Sequence, residues 1–334
     1  MTTQFREKLQ RLGPLASAGH RLSPQLKEAL QRLGPLIALL ALCVALAFLS
    51  SDFLSVGNVL DVMRQVSINA IISFGMTFAI LLGGIDLSVG SILAVSSVLI
   101  ALLLKAHYPA PLATLIGVLC GATMGSMNGL LITKGRMAPF IATLGTMTLL
   151  RGMALVLSKG SPISGFSSDF FSWLGAGYLA RVIPLPVVWM LLLFVVFWFV
   201  LDRSVFGRHV YATGGNTEAA RLSGIRTDRV QIVAYTISGA MAAVAGVILT
   251  SRLDSAQPTA GAGYELDAIT AVVLGGTSLA GGRGWIFGTL VGALLIGVLN
   301  NGLNLMGVSA FYQQVIKGTV ILLAVLLDRA PRAE

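Results

Sequence analysis

Charge is scarce in this chain. Asp, Glu, Lys and Arg make up 11% of its 334 residues while 55% of positions are apolar, and the mean hydropathy is +0.85. A soluble domain carries about a quarter charged residues, so an ordinary soluble protein is excluded. Cysteine and histidine are equally sparse. Cys43 and Cys120 both sit in apolar runs, and His20, His107 and His209 are scattered, which leaves neither a disulfide framework nor metal-ligand spacing. No glycine-rich stretch ends in Lys-Ser or Lys-Thr, so the chain has no phosphate loop and does not hold ATP by that device. No His/Asp/Glu cluster or Ser/His/Asp arrangement points to an enzyme.

What the chain does have is long apolar runs. If a span needs about 20 apolar residues, about ten fit: 35 to 51, 66 to 82, 87 to 104, 111 to 133, 137 to 157, 184 to 201, 230 to 249, 266 to 281, 285 to 304 and 310 to 327. The expected fold is an all-α integral membrane protein of about ten helices, with both termini cytoplasmic. Its parts are a basic tail over 1–34, a transmembrane domain over 35–328 with a cytoplasmic loop at 202–229, and a C-terminus at 329–334. Ala45-Leu46-Ala47 looks like a cleavage site, but about 35 residues precede it, far more than the head of a signal peptide, so the first span is read as uncleaved. Pro35 suits its first turn. In the tail, Leu9 to Leu15 recurs as Leu30 to Leu36. The second copy is either a helix on the inner membrane surface or a solvated basic stretch.

The net charge of +9 invites a nucleic-acid reading. With the N-terminus inside, however, sixteen Lys and Arg fall in inner segments and five in outer ones, a bias that sets orientation and needs no nucleic acid. Glycine is plentiful, at 38 residues. Gly121, Gly125 and Gly129, Gly288 and Gly292, and Ser238, Ala242 and Gly246 recur at spacings of four, smooth faces for close helix approach. Gly83, Gly84, Asp86 and Ser88 form a junction between spans 2 and 3, and Gly275-Gly276 interrupts span 8. Such helices are broken or re-entrant, which a bilayer permits only where protein or a water-filled cavity covers the backbone. The stretch from Leu82 to Gly90 also matches Leu274 to Gly282 at five positions, by duplication or by chance.

Polar groups inside a membrane are expensive unless paired or facing a cavity. Asn69, Asn128, Asn300, Asn301 and Asn304 lie within spans and Gln313 opens the last one, beside Gln314 and Lys317. Either they line a pathway for a polar solute or they hold helices together. Asp86 either caps the helix that follows it or carries a proton. Arg151 has no acid near it in sequence. The loops 158 to 183 and 250 to 265 are the outer surfaces open to a partner, although Glu265 and Asp267 also suit the opening turn of span 8.

The inner loop at 202–229 contains Asn216 or Thr217 as an N-cap, Glu218 in an acidic first turn and Gly224 as a stop, which predicts a two-turn helix outside the bilayer. Alone it is marginal, so Leu222 and Ile225 are expected to pack against something, either the loop's own span ends or a cytoplasmic partner. Glu218-Ala219-Ala220 followed by Gly224-Ile225 resembles the coupling motif of ABC importer permeases. Gly84 to Ser91, Phe140 to Gly145, Ser255 to Gly261, Gly263 to Ile269, Ala271 to Gly282 and Leu299 to Leu305 resemble more narrowly the ribose-type permeases. The likeness covers about residues 35 to 328 and leaves out the tail.

The resemblance implies a bacterial inner-membrane, multi-pass permease that moves ribose or a related monosaccharide by alternating access. It implies a second permease copy, a cytoplasmic ATP-binding subunit holding ATP and Mg, and a periplasmic sugar-binding protein. This chain itself would bind no cofactor and no metal. Asn216, Thr217, Glu218, Arg221, Leu222, Gly224 and Ile225 would couple it to the ATPase. The alternative is a self-sufficient ion-coupled secondary transporter, with Asp86 or Arg151 in the coupling role.

Overall fold

The computed structural model describes residues 24–166 and 168–328. The first copy of the tail duplication, Leu9 to Leu15, and the C-terminal segment 329–334 lie outside the described residues. Two compact units divide the chain, Met1–Gly34 and Pro35–Glu334, and apart from residues 24–34 the second contains everything that follows. In chain order the helices begin with α1 (Pro24–Leu49), α2 (Val56–Leu81), α3 (Val89–Lys105), α4 (Ala110–Thr133) and α5 (Pro139–Ser158). After strand β1 (Ile163–Ser164) come α6 (Asp169–Ala176), the strands β2 (Tyr178–Leu179) and β3 (Ile183–Pro184), α7 (Leu185–Arg203), α8 (Val205–Gly215), α9 (Thr217–Leu222) and α10 (Thr227–Leu253). Strand β4 (Ser255–Ala256), α11 (Tyr264–Leu274), α12 (Ile286–Leu305) and α13 (Ala310–Asp328) complete the described chain.

Six helices, α2, α4, α5, α7, α10 and α12, are long and apolar enough to cross a bilayer; α3 and the Leu33–Leu49 part of α1 are shorter apolar helices. Three boundaries differ from the sequence reading, each for a physical reason. Helix α2 starts at Val56, ten residues before the apolar run, because Ser55 accepts the Asn58 N–H at 3.3 Å and Asp61 pairs with Arg64 at 2.8 Å. A capped, ion-paired turn continues the helix beyond its apolar part. Helix α11 stops at Leu274 and not near 281, because Gly276 takes a φ of +88° and the chain folds back, with Ser278 N–H donating to the Arg283 carbonyl at 2.9 Å. Pro35 lies inside α1 and not in its first turn, since a proline removes one helical hydrogen bond and need not stop the helix.

Helix α2 is the centre of the fold, buried almost continuously from Val66 to Leu81. The small-residue stripes find the partners their shape requires. A β-carbon on Gly121 would meet the Gly239 carbonyl at 2.7 Å, and one on Gly129 would meet the Ile232 Cα at 2.6 Å, so α4 and α10 cross with their backbones in contact. Ser238 lies against Gly75 of α2, Gly246 against Leu93 of α3, and Gly288 and Gly292 of α12 against Gly275 and Ala271. On the other side of the fold, β1 and β4 pair antiparallel, Ile163 opposite Ala256 and Ser164 opposite Ser255. The two loops read as separate outer surfaces are therefore stitched into one.

Candidate functional site

Helix α9 is a compact, rigid peg. Asn216 Oδ1 accepts the Ala219 N–H at 2.9 Å and Thr217 Oγ1 donates back to the Thr213 carbonyl of α8 at 2.9 Å. At the other end Gly224, at φ +85°, donates to the Arg221 carbonyl at 3.0 Å, and Ile225 N–H donates to the Ala220 carbonyl at 3.1 Å. These two bonds are a Schellman stop, and only glycine takes that φ at no cost. Both ends of a six-residue helix are thus closed, which offsets its unfavourable length.

The side chains divide by face. Ala220 is buried and Ile225 half-buried, whereas Leu222 is 88% exposed. Of the two apolar residues expected to pack against either the loop's own span ends or a partner, Ile225 packs against the chain and Leu222 does not. At about 100° per residue, Leu222 lies some 200° around the helix from Ala220 and must point away. Glu218 and Arg221 are exposed beside it and face each other at 3.6 Å; Arg221 also reaches Asp228 at 3.9 Å, which pairs with Lys134 at 2.7 Å. The tip of α9 is therefore an exposed apolar side chain ringed by charge.

The peg stands on α8, and α8 stands on the broken-helix junctions. Tyr211 donates to the Gly284 carbonyl at 2.8 Å. Burial, with the nearby Asp202 charge adding to it, pushes its phenol up to about 12, so it stays a donor at any physiological pH. Gly214 lies against the Leu81 carbonyl at the end of α2, and Gly282 N–H donates to that carbonyl at 2.8 Å. Gly83 and Gly281 touch through backbone alone, at φ +74° and +85°. The two segments that echo each other in sequence are therefore in contact, each at the end of a helix.

Asp86, fully buried, is the hub of the second junction. Its Oδ1 accepts from Ser88 N–H at 3.0 Å and Ser88 Oγ at 2.6 Å, and its Oδ2 from Ser238 Oγ of α10 at 2.8 Å. Asn128 Nδ2 donates to Ser88 Oγ at 2.8 Å, and among the described residues Asn128 Oδ1 and the neighbouring Tyr235 hydroxyl have no partner. Gly84 is packed under that hydroxyl. Asp86 thus closes a turn just before α3 and ties it to α4 and α10, and it reaches the Ser88 N–H instead of the first-turn N–H groups of α3. Replacing Asp86 with Leu strands the Ser88 N–H and two hydroxyls, and is expected to cost on the order of 3 kcal/mol; Asp86→Asn keeps one acceptor and should fall between. Thermal unfolding of the detergent-solubilised protein measures both, and a Leu variant as stable as the parent would contradict the hub role.

The remaining polar residues separate into paired and unpaired. Asn301 and Asn58 exchange reciprocal amide bonds at 2.7 and 3.1 Å, joining α12 to α2. Gln313 donates to Asn304 Oδ1 at 2.7 Å, and Lys317 pairs with Asp267 at 3.1 Å. Asn69 Oδ1 and Asn300 Oδ1 are buried and have no hydrogen-bond partner among the described residues. Arg151 donates to the carbonyls of Pro258 and Ala260, each at 2.8 Å, so its counterpart is a loop backbone with Glu265 nearby. Among the described residues no group of three His, Cys, Asp or Glu is placed to hold a metal.

A multi-pass helical protein with a short, doubly capped helix between its apolar helices and glycine-packed broken helices has the form of a transport permease. Its sequence matches, over residues 58–325, the family described as the branched-chain amino acid transport system permease component, and the chain belongs to that family. It is 56% identical to the ribose import permease protein RbsC of Bacillus subtilis over 89% of this chain and 92% of that one. It is 50% identical to the protein of the same name in Escherichia coli K12, over 87% and 92%, and 43% identical to the D-allose transport system permease protein AlsC of that strain, over 87% and 90%. No solved structure gives a significant match.

Proposed function

We propose that this chain is the membrane-spanning subunit of an ATP-driven importer of ribose or a closely related monosaccharide. The observation that carries the reading is Leu222, held almost fully exposed on a helix closed at both ends. Such a helix transmits a push only to something that grips it, and the natural grip is a cytoplasmic ATP-binding subunit holding ATP and Mg. ATP-driven closure of that subunit would move α9 and α8 as one body against the Leu81 and Gly284 junctions. The sugar reading is supported by the identity to ribose permeases.

Among the described residues ten helices, α1 to α5, α7 and α10 to α13, overlap the ten apolar runs, and six of them are long and apolar enough to cross a bilayer, which supports a reading of ten membrane segments with both termini inside. The amide oxygens of Asn69 and Asn300, unpartnered among the described residues, with Asn304 at the end of α12 and Gln313 in the first turn of α13, are the groups proposed to meet the sugar. Asn128 and Asn301 are proposed as helix ties. The outer surface stitched by β1 and β4 is proposed to receive a periplasmic binding protein, and a second copy of the permease completes the assembly. The test is uptake of labelled ribose into vesicles holding the permease, its ATP-binding subunit and its binding protein. Uptake should require ATP and be competed by ribose before allose. Uptake driven by a proton gradient without ATP would establish the secondary-transporter reading instead.

A further inference from the structure

Between α8 and α10, beside the end of the peg, lies a cavity of about 390 Å³ with two kinds of wall. Phe206, Val230 and Val233 make one side apolar, and Arg226, Arg229 and His209 make the other basic. Arg229 and Val233 lie four apart on one face of α10, and Arg226 precedes its first residue, so the wall is charged at the start of the helix and aliphatic further in. Val233 is 43% exposed on a helix long and apolar enough to span. The apolar wall therefore opens toward hydrocarbon.

The charges of this cavity are uncompensated. In the neighbouring cavity of about 540 Å³, which shares Arg226 and Arg229, Asp228 neutralises Lys134 at 2.7 Å and Arg221 at 3.9 Å. Among the described residues no acid meets Arg226, Arg229 or His209. An acidic peptide would satisfy the cations and leave the apolar wall bare, and free phosphate has no use for that wall. A molecule with an anionic head and hydrocarbon tail matches both.

We infer that this cavity binds an anionic phospholipid of the cytoplasmic leaflet, its phosphate held by Arg226 and Arg229 and its acyl chains lying over Phe206, Val230 and Val233. The inference rests on membrane insertion with 202–229 at the inner surface, and on neither the sugar nor ATP drive. Because Ile225 lines the same cavity and closes the Schellman stop of α9, the lipid becomes part of the footing of the peg.

The test uses the full permease in nanodiscs of phosphatidylcholine doped with photoactivatable phosphatidylglycerol or phosphatidylcholine, and maps the labelled peptides. Phosphatidylglycerol should be enriched on residues 205–233, with roughly fivefold lost per arginine removed. Arg226→Gln with Arg229→Gln should bring the two lipids to parity, and Arg226→Lys with Arg229→Lys should keep most of the enrichment. If the glutamine pair fails to fold, Val233→Trp, which fills the apolar wall, should lower phosphatidylglycerol labelling. Equal labelling by both lipids in the parent protein, or displacement by inorganic phosphate, overturns the inference. So does unchanged enrichment in the glutamine pair together with weaker binding of the ATP-binding subunit, which assigns the arginines to that protein. Transport is not needed for any of these readouts, so a failure of the importer reading leaves them interpretable.

Discussion

Replacing Leu222 with aspartate is expected to abolish ATP-driven uptake while the permease still inserts and folds. The side chain is 88% exposed, so the substitution removes almost nothing from the chain's own packing and should leave thermal unfolding within about 0.5 kcal/mol of the parent. In the complex the same position would be the centre of the contact. Truncating a buried apolar anchor costs about 2 kcal/mol or more, and a carboxylate there adds the desolvation of an unpaired charge. Association with the ATP-binding subunit should therefore weaken at least about thirtyfold. Leu222→Met, similar in volume and apolar, should bind and transport like the parent. Replacing Glu218 or Arg221 should do less, since their pairing at 3.6 Å is solvent-exposed and exposed pairs contribute about 0–1 kcal/mol. Co-purification and sugar-stimulated ATP hydrolysis measure these effects; a Leu222→Asp variant with normal hydrolysis removes the peg from the mechanism.

Replacing Gly125 with leucine should prevent assembly of the helix bundle. A β-carbon at this position would fall on the Tyr235 carbonyl and within 3.0 Å of the Gly239 nitrogen. Both are backbone atoms of α10, so no rotamer change relieves the clash. The helices must separate, and the cost, on the order of 3 kcal/mol, falls beside the Asp86 hub, because Asn128 and Ser238 sit on the same two helices. The control is Gly145→Leu on α5, where a β-carbon meets nothing within 4 Å and helix propensity improves. Gly145→Leu should be as stable as the parent in detergent, and Gly125→Leu should aggregate or unfold roughly 5–10 °C lower.

These two outcomes differ in how far the sequence foretells them. The peg was legible because its signals are local: Asn216, Glu218 and Gly224 lie within nine residues, Asn216 capping the Ala219 N–H, Glu218 pairing with Arg221 one turn on, and Gly224 turning the chain at positive φ. The glycine stripes were legible as faces, since spacing defines a face, but not as pairs, since spacing does not say that Gly125 meets Tyr235. Arg151 looked partnerless because its partners are the carbonyls of Pro258 and Ala260, more than a hundred residues away, and a carbonyl belongs to every residue and marks none. Asn300 and Asn301 are adjacent and alike in sequence, yet Asn301 turns to Asn58 while the Asn300 oxygen has no partner among the described residues. Hydropathy missed the start of α2 because Asp61 and Arg64 interrupt the apolar run without interrupting the helix.

The Asp86 hub also sets an order of events during synthesis. Ser88 is made almost together with the acid and Asn128 forty residues after Ser88, but Ser238 follows Asp86 by 152 residues. At roughly 5–20 residues per second the second carboxylate oxygen waits on the order of ten to thirty seconds for its hydroxyl. Until α10 arrives, the α2–α3 junction is unfit for hydrocarbon, and water or the insertion machinery has to shelter it. Insertion of this permease is then completed by its second half, and a chain truncated before Ser238 should be cleared from the membrane as unassembled.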